Sequence, residues 1–162
     1  MLSEEDDTGA KQAMLFGRKQ RSIEKLLVVE DEPLVAFDTE HLLSDQGFDV
    51  VATVDRVADA VRLLESGAAI DLVLVDVRLA DGSGLDVARS ATARGIPVLF
   101  VTGSCPADAE GVAVGCLAKP YTPRDLLSSI DAIESAAAGK APPRVPGGLR
   151  LFGGGPSMTG LT

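Results

Sequence analysis

The chain has 162 residues and carries 15 basic against 24 acidic side chains, a formal charge of −9. That length admits one domain of common size with tails, and 46% apolar residues exclude global disorder. The acidic balance repels phosphate backbones, which excludes nucleic acid as the expected partner, and it suits a divalent cation.

Residues 1–24 place acids first (Glu4, Glu5, Asp6, Asp7) and bases after (Lys11, Arg18, Lys19, Arg21), with no sustained periodicity. A flexible N-terminal arm is predicted there. Leu26–Val29 is an apolar run of strand length. Pro33 suits the first turn of a helix that runs to about Gln46 and stops at Gly47. Asp49–Val54 reads as a second strand. Val57, Ala60, Val61 and Leu64 fall at helical spacing, with Gly67 as the cap. Leu72–Val75 is continuously apolar, as in a strand covered on both faces. Gly82–Gly84 turns the chain into a helix ending near Gly95. Pro97–Val101 and Cys116–Ala118 read as the fourth and fifth strands. Thr122, Pro123 and Asp125 are N-cap, first helical position and third, and Leu126, Ile130, Ile133 and Ala137 continue the apolar stripe. Gly and Pro crowd residues 139–162, which opposes helix and strand and predicts a disordered tail. Its one apolar cluster able to dock is Leu149–Phe152.

The acidic N-terminus is not a signal peptide. No apolar run approaches the ~18–20 residues of a membrane span. Cys105 and Cys116 have neither zinc-site nor disulfide-framework spacing and read as reduced thiols. The only histidine, His41, reads as a helix surface residue. A cytoplasmic protein without a membrane partner is expected.

Strand–helix alternation implies parallel strands with right-handed crossovers. Five such units predict an α/β, doubly wound, flavodoxin-like sheet of order 2-1-3-4-5 over residues 25–138. Ligands of such sheets bind beyond the C-terminal strand ends. Glu30, Asp31 and Glu32 follow the first strand. Asp76 ends the third, Thr102 the fourth, and Lys119-Pro120 the fifth. Singly, each has a plain structural explanation as a turn, cap or loop residue. Together they bring carboxylates, a hydroxyl and an amine to one rim. Carboxylates ~4 Å apart repel by about 4 kcal/mol at an effective dielectric near 20. Mg²⁺ relieves that repulsion, since it prefers oxygen ligands. A carboxylate can attack phosphorus as a nucleophile, and a cation and a hydroxyl can hold the phosphoryl oxygens.

These residues resemble the response-regulator receiver family. Leu26-Leu27-Val28-Val29-Glu30-Asp31-Glu32-Pro33 is similar to its first-strand acidic motif. Leu72 through Leu85, with Asp76 at its centre, is similar to its phosphoacceptor strand and loop. Leu117-Ala118-Lys119-Pro120-Tyr121 is similar to its lysine motif, where the Lys–Pro bond is usually cis. The resemblance implies that Asp76 is phosphorylated and that Thr102 is the switch hydroxyl. It implies that Lys119 pairs with the phosphate. It also implies Mg²⁺ on Asp31, Asp76 and the Arg78 carbonyl, with Glu30 acting through water. The implied donor is a phosphohistidine on a sensor histidine kinase or histidine phosphotransfer protein, with a downstream protein target. Pro97, Phe100, Thr102 and Gly103 further resemble a subfamily with a Phe-Ala-Thr-Gly stretch, from which Val98 and Val101 depart. The family's inward-turning aromatic would fall on Cys116, and the subfamily's own tyrosine on Cys105. Neither is aromatic.

A single-domain regulator is the expectation, acting by protein contact or as a phosphate relay or sink. The rivals are a degenerate receiver that only binds partners, and a haloacid-dehalogenase-type phosphatase. The latter normally has an acid two residues after its nucleophile, where this chain has Arg78. The seventeen-residue step from Thr102 to Lys119 is short for a receiver. Within it Gly103, Pro106, Gly111 and Gly115 penalise a helix, by about 1 kcal/mol per interior Gly. The helix between the fourth and fifth strands should be short or replaced by a mobile loop.

Overall fold

Period-two alternation of apolar side chains is what builds the centre of this protein. The structure is a computed structural model describing residues 21–142 and 144–153. In chain order the elements are β1 (Lys25–Val29), α1 (Pro33–Asp45), β2 (Asp49–Val54), α2 (Val57–Glu65), β3 (Leu72–Val75), β4 (Arg78–Leu79), β5 (Gly82–Ser83), α3 (Gly84–Ala93), β6 (Val98–Thr102), a 3-10 turn (Ala109–Gly111), β7 (Gly115–Ala118), α4 (Pro123–Ala137) and β8 (Leu149–Leu151). The sheet order is β2-β1-β3-β6-β7-β8. The first five strands are parallel, in the expected flavodoxin-like order.

Leu26, Val28, Leu72, Leu74, Leu99 and Leu117 face one side of the sheet. There they bury Leu43 of α1 and Leu126, Ile130 and Ile133 of α4. Leu27, Val29, Val73, Val75 and Phe100 face the other side, against Ala60 and Leu64 of α2 and Val87, Ala88 and Ala91 of α3. Each fully buried Leu contributes about 1.5–3 kcal/mol of transfer free energy. With both faces covered, the central strands can be apolar throughout, as β3 is. The helix ends follow sequence chemistry. Thr122 and Asp125 form the reciprocal capping box at α4, and Gly47, Gly67 and Gly95 leave α1, α2 and α3 with positive φ.

Three differences from the expectations above stand out, and one expectation is met. The arm was placed at residues 1–24, of which 1–20 lie outside the described residues. Residues 21–24 are anchored. Ile23 is buried in the core, Ser22 and Ile23 donate backbone N–H groups to the Glu134 carboxylate, and the Arg21 guanidinium lies over the Phe48 ring. Second, the sheet has six strands rather than five. β8 comes from the segment read as a disordered tail and pairs antiparallel with β7, with Leu149 buried. Gly and Pro lower strand propensity, but Leu149, Arg150 and Leu151 are a short Gly-free run that closes an otherwise open edge. Residues 143 and 154–162 of that tail lie outside the described residues. Third, the loop after β3 forms a two-residue hairpin, β4–β5. The segment between β6 and β7 holds a single 3-10 turn, in keeping with the shortened helix. No described helix is long and apolar enough to cross a membrane.

Candidate functional site

The C-terminal ends of β1, β3 and β7 bring Glu30, Asp76 and Lys119 together. Asp76 follows directly on β3, and its backbone N–H is held by the Val29 carbonyl of β1 at 3.0 Å. Lys119 follows β7, its N–H bonded to the Thr102 carbonyl at 2.9 Å. The Lys119–Pro120 bond is cis. The Lys119 ammonium lies 3.0 Å from Asp76 Oδ2, 3.2 Å from Glu30 Oε1 and 3.6 Å from Glu32 Oε1.

Glu30, Glu32 and Asp76 each bring a carboxylate oxygen within 4.8 Å of the others. Unit charges ~5 Å apart repel by about 3 kcal/mol at an effective dielectric near 20. The pKa shifts record how this is balanced. Burial pushes Glu30 up, opposed by the Glu32 backbone N–H and by Lys119. Burial alone would push Lys119 down. The hydrogen bond to Asp76 and the charge of Glu30 more than offset that, and the ammonium is held above its usual range. Tyr121, two residues on, is also raised by burial, although Thr39 bonds its hydroxyl.

Not every residue expected at the site joins this cluster. Asp31 stands outside the carboxylate trio and borders a neighbouring depression of about 380 Å³, shared with Glu30, Asp55 and Asp59. Glu32, which was not assigned a role, takes its place beside Lys119. Thr102 is buried, and its hydroxyl exchanges hydrogen bonds with the Ser104 backbone, donating to the carbonyl and accepting from the N–H, both at 3.3 Å. Arg78 is exposed, and its backbone N–H reaches Asp76 Oδ1 at 3.3 Å. His41 is exposed on α1, 3.5 Å from Asp45 and stacked on Phe37.

Gly84, at the turn into α3, does more than reverse the chain. A Cβ there would stand 2.1 Å from the Asp76 carbonyl oxygen, and its N–H bonds the Val77 carbonyl at 2.6 Å. Only a bare glycine lets α3 start so close beneath Asp76. The signal was present as a Gly at the helix start after the Asp81-Gly82-Ser83 turn, but its neighbour could not be known. Asp81 ties that loop to α2, accepting the N–H groups of Val57 and Ala58. Those bonds, Val57 first, hold its carboxyl below the usual range.

The donors are hard oxygens of the kind Mg²⁺ takes, set beside a cation that can exchange a carboxylate for another oxyanion. Such an arrangement can bind a metal and a phosphoryl group side by side. The response regulator receiver domain profile matches residues 26–131. The phyllosphere-induced regulator PhyR of Methylorubrum extorquens is 32% identical over 116 residues, 65% of this chain and 42% of that protein. The sensory transduction protein RegX3 of Mycobacterium bovis is 34% identical over 117 residues, 67% of this chain and 49% of that protein. The chain thus spans less than half the length of either relative. A response regulator receiver protein from Sinorhizobium medicae superposes with a TM-score of 0.62 at 30% identity, over 71% of this chain and 97% of that one. Motifs, topology and profile agree, and the chain belongs to the response regulator receiver domain family of two-component signalling.

Proposed function

We propose that this chain accepts a phosphoryl group on Asp76 from a phosphohistidine of a sensor kinase or phosphotransfer protein, and that the change alters a protein–protein contact. The observation that carries this is the contact of Asp76 with Lys119 at the strand ends, beside Glu30. A carboxylate oxygen of Asp76 bonds to phosphorus as the P–N bond breaks and the imidazole leaves with a proton. Lys119 passes from Asp76 Oδ2 to a phosphoryl oxygen. The Thr102 hydroxyl leaves the Ser104 carbonyl for another.

Glu30 and Asp76, two of the three clustered carboxylates, support a cation site. Glu30, Asp31, Asp76 and the Arg78 carbonyl are the groups proposed to hold Mg²⁺, with Glu32 retained by Lys119. When bound, the ion supplies charge neutralisation for the transferring phosphoryl group.

A protein donor needs a surface. Leu34 and Phe37 of α1 are exposed at 75% and 66%. Nearby lies an open depression of about 570 Å³ lined by Val35, Leu42, Lys119, Pro120 and Tyr121. Apolar side chains left in water on the helix that also lines this Lys119-bordered depression suit a docking partner. Phosphotransfer from a labelled histidine protein tests the reading. Transfer to wild type, and none to Asp76→Asn, supports it. Steady phosphate release without a stable adduct would point to the phosphatase alternative, and no reaction to a degenerate receiver.

A further inference from the structure

Helix α2 starts without a cap of its own. Arg56, at the N-cap position, gives the helix no side-chain hydrogen bond, and the first N–H groups of a helix have no partner within it. Asp81 supplies two acceptors from a different loop. The Val57 N–H donates to its Oδ1 at 2.6 Å and the Ala58 N–H to its Oδ2 at 3.1 Å. A carboxylate is also favoured at the positive end of a helix. Asp81 is exposed, so its loss would cut this tie without opening the core.

Asp81 sits at the tip of the β4–β5 hairpin. Arg78 pairs with Ser83 and Leu79 with Gly82, which leaves Ala80 and Asp81 as the turn. The base of the hairpin is closed by the Gly84 N–H on the Val77 carbonyl at 2.6 Å. Its middle is seated by Leu79, buried in the cluster that Val57 packs against. A Cβ at Gly82 would stand 3.4 Å from Val57 Cγ2, so the second strand of the hairpin runs close along the start of α2. Arg78 lies between base and middle. Its side chain is exposed, and its backbone N–H reaches Asp76 Oδ1 at 3.3 Å.

We propose that Asp81 is a positioning residue for the cation site: by tying the hairpin tip to the start of α2, it fixes the Arg78 peptide beside Asp76. A hairpin this short, free at its tip, can rock about its base and turn the Arg78 carbonyl away. Mg²⁺ takes few protein ligands and keeps several waters, so the placing of one carbonyl weighs on its affinity. The role rests on the reading that Asp76 and the Arg78 carbonyl hold the ion.

Mg²⁺ binding to the full chain is measured by isothermal titration for wild type, Asp81→Ala, Val57→Pro and Ser66→Ala. Val57→Pro removes the 2.6 Å bond from the donor side and leaves the carboxylate charge in place. It does so at the first helical position, where proline is tolerated. Ser66→Ala removes a hydroxyl bond to the Leu63 carbonyl at the other end of α2 and controls for helix stability alone. Asp81→Ala and Val57→Pro should both weaken Mg²⁺ several-fold, and Ser66→Ala should match wild type. In labelling by acetyl phosphate, the Mg²⁺ concentration giving half the maximal rate should rise in the same two variants, with the rate at saturating Mg²⁺ far less affected. Weakening by Asp81→Ala alone would mark a charge effect, weakening by Val57→Pro alone a packing effect, and equal weakening by Ser66→Ala an effect of helix stability. Each of these overturns the positioning role, as does wild-type affinity in all three variants, and each leaves the phosphoacceptor reading intact. A lower saturating rate at an unchanged half-maximal Mg²⁺ concentration overturns it too. Absence of Mg²⁺ binding by wild type overturns the cation reading and the positioning role with it.

Discussion

Lys119 Nζ sits 3.0 Å from Asp76 Oδ2 and 3.2 Å from Glu30 Oε1, so one ammonium joins the ends of three strands. Glu30 is only 6% exposed. Removing the ammonium leaves a buried carboxylate without its counter-charge. Lys119→Met should lower stability by about 1–3 kcal/mol, read by denaturant unfolding, and should slow phosphorylation of Asp76. Unchanged stability would show that solvent, rather than Lys119, balances Glu30.

The same contact sets a pH dependence. Lys119 is raised in the folded protein. Its contribution is fully present below the unfolded lysine value of about 10.4 and is lost as pH rises through the folded value. Glu30 is also raised. Its burial penalty is present above the folded value and is relieved as pH falls through it. Wild type should therefore lose more stability than Lys119→Met between about pH 10 and the folded lysine value. Parallel melting curves for the two across that window would contradict this.

Gly84→Ala forces a Cβ onto the Asp76 carbonyl oxygen. Backbone must shift, at about 1–3 kcal/mol, and the displaced group is the one that reacts. Acyl phosphate labelling should fall well below that of Ser83→Ala. That variant loses only the hydroxyl that caps Leu85 N–H, worth about 1 kcal/mol. Normal labelling of Gly84→Ala would show that Asp76 tolerates the shift.

Asp31 and Glu32 separate the metal role from the lysine-pairing role. Asp31→Ala should weaken both Mg²⁺ binding and phosphorylation. Glu32→Gln should change Mg²⁺ binding less, because its carboxylate is engaged with Lys119 at 3.6 Å. Isothermal titration with Mg²⁺ reads the difference, and the reverse order would assign Glu32 to the ion.

Much of this was legible in sequence, for physical reasons. Pattern and caps fixed β2 at Asp49–Val54 and α4 after Thr122, because alternation and capping chemistry are local. The short segment after Thr102 was legible because glycine and proline act on their own residues. β8 was not, because Leu149 gains its stability from pairing with Leu117 and from the core it joins, rather than from its Gly-rich neighbours. Nor was the requirement at Gly84, which depends on a carbonyl eight residues earlier. Asp31 and Glu32 are adjacent in sequence. Only the fold decides which of them turns toward Lys119.

Residues 103–115 should exchange amide hydrogen quickly in the unmodified protein and gain protection once Asp76 is phosphorylated. The single 3-10 turn offers few backbone bonds to protect. Slow exchange there before phosphorylation would make the segment rigid and contradict its ordering by the phosphoryl group.

The most direct test of the account is intact-mass analysis of the chain incubated with acetyl phosphate and Mg²⁺. Wild type should gain one hydroxylamine-labile phosphoryl group per chain, Asp76→Asn none, and wild type none when EDTA replaces Mg²⁺. Stoichiometric labelling of Asp76→Asn, or labelling indifferent to EDTA, would contradict it.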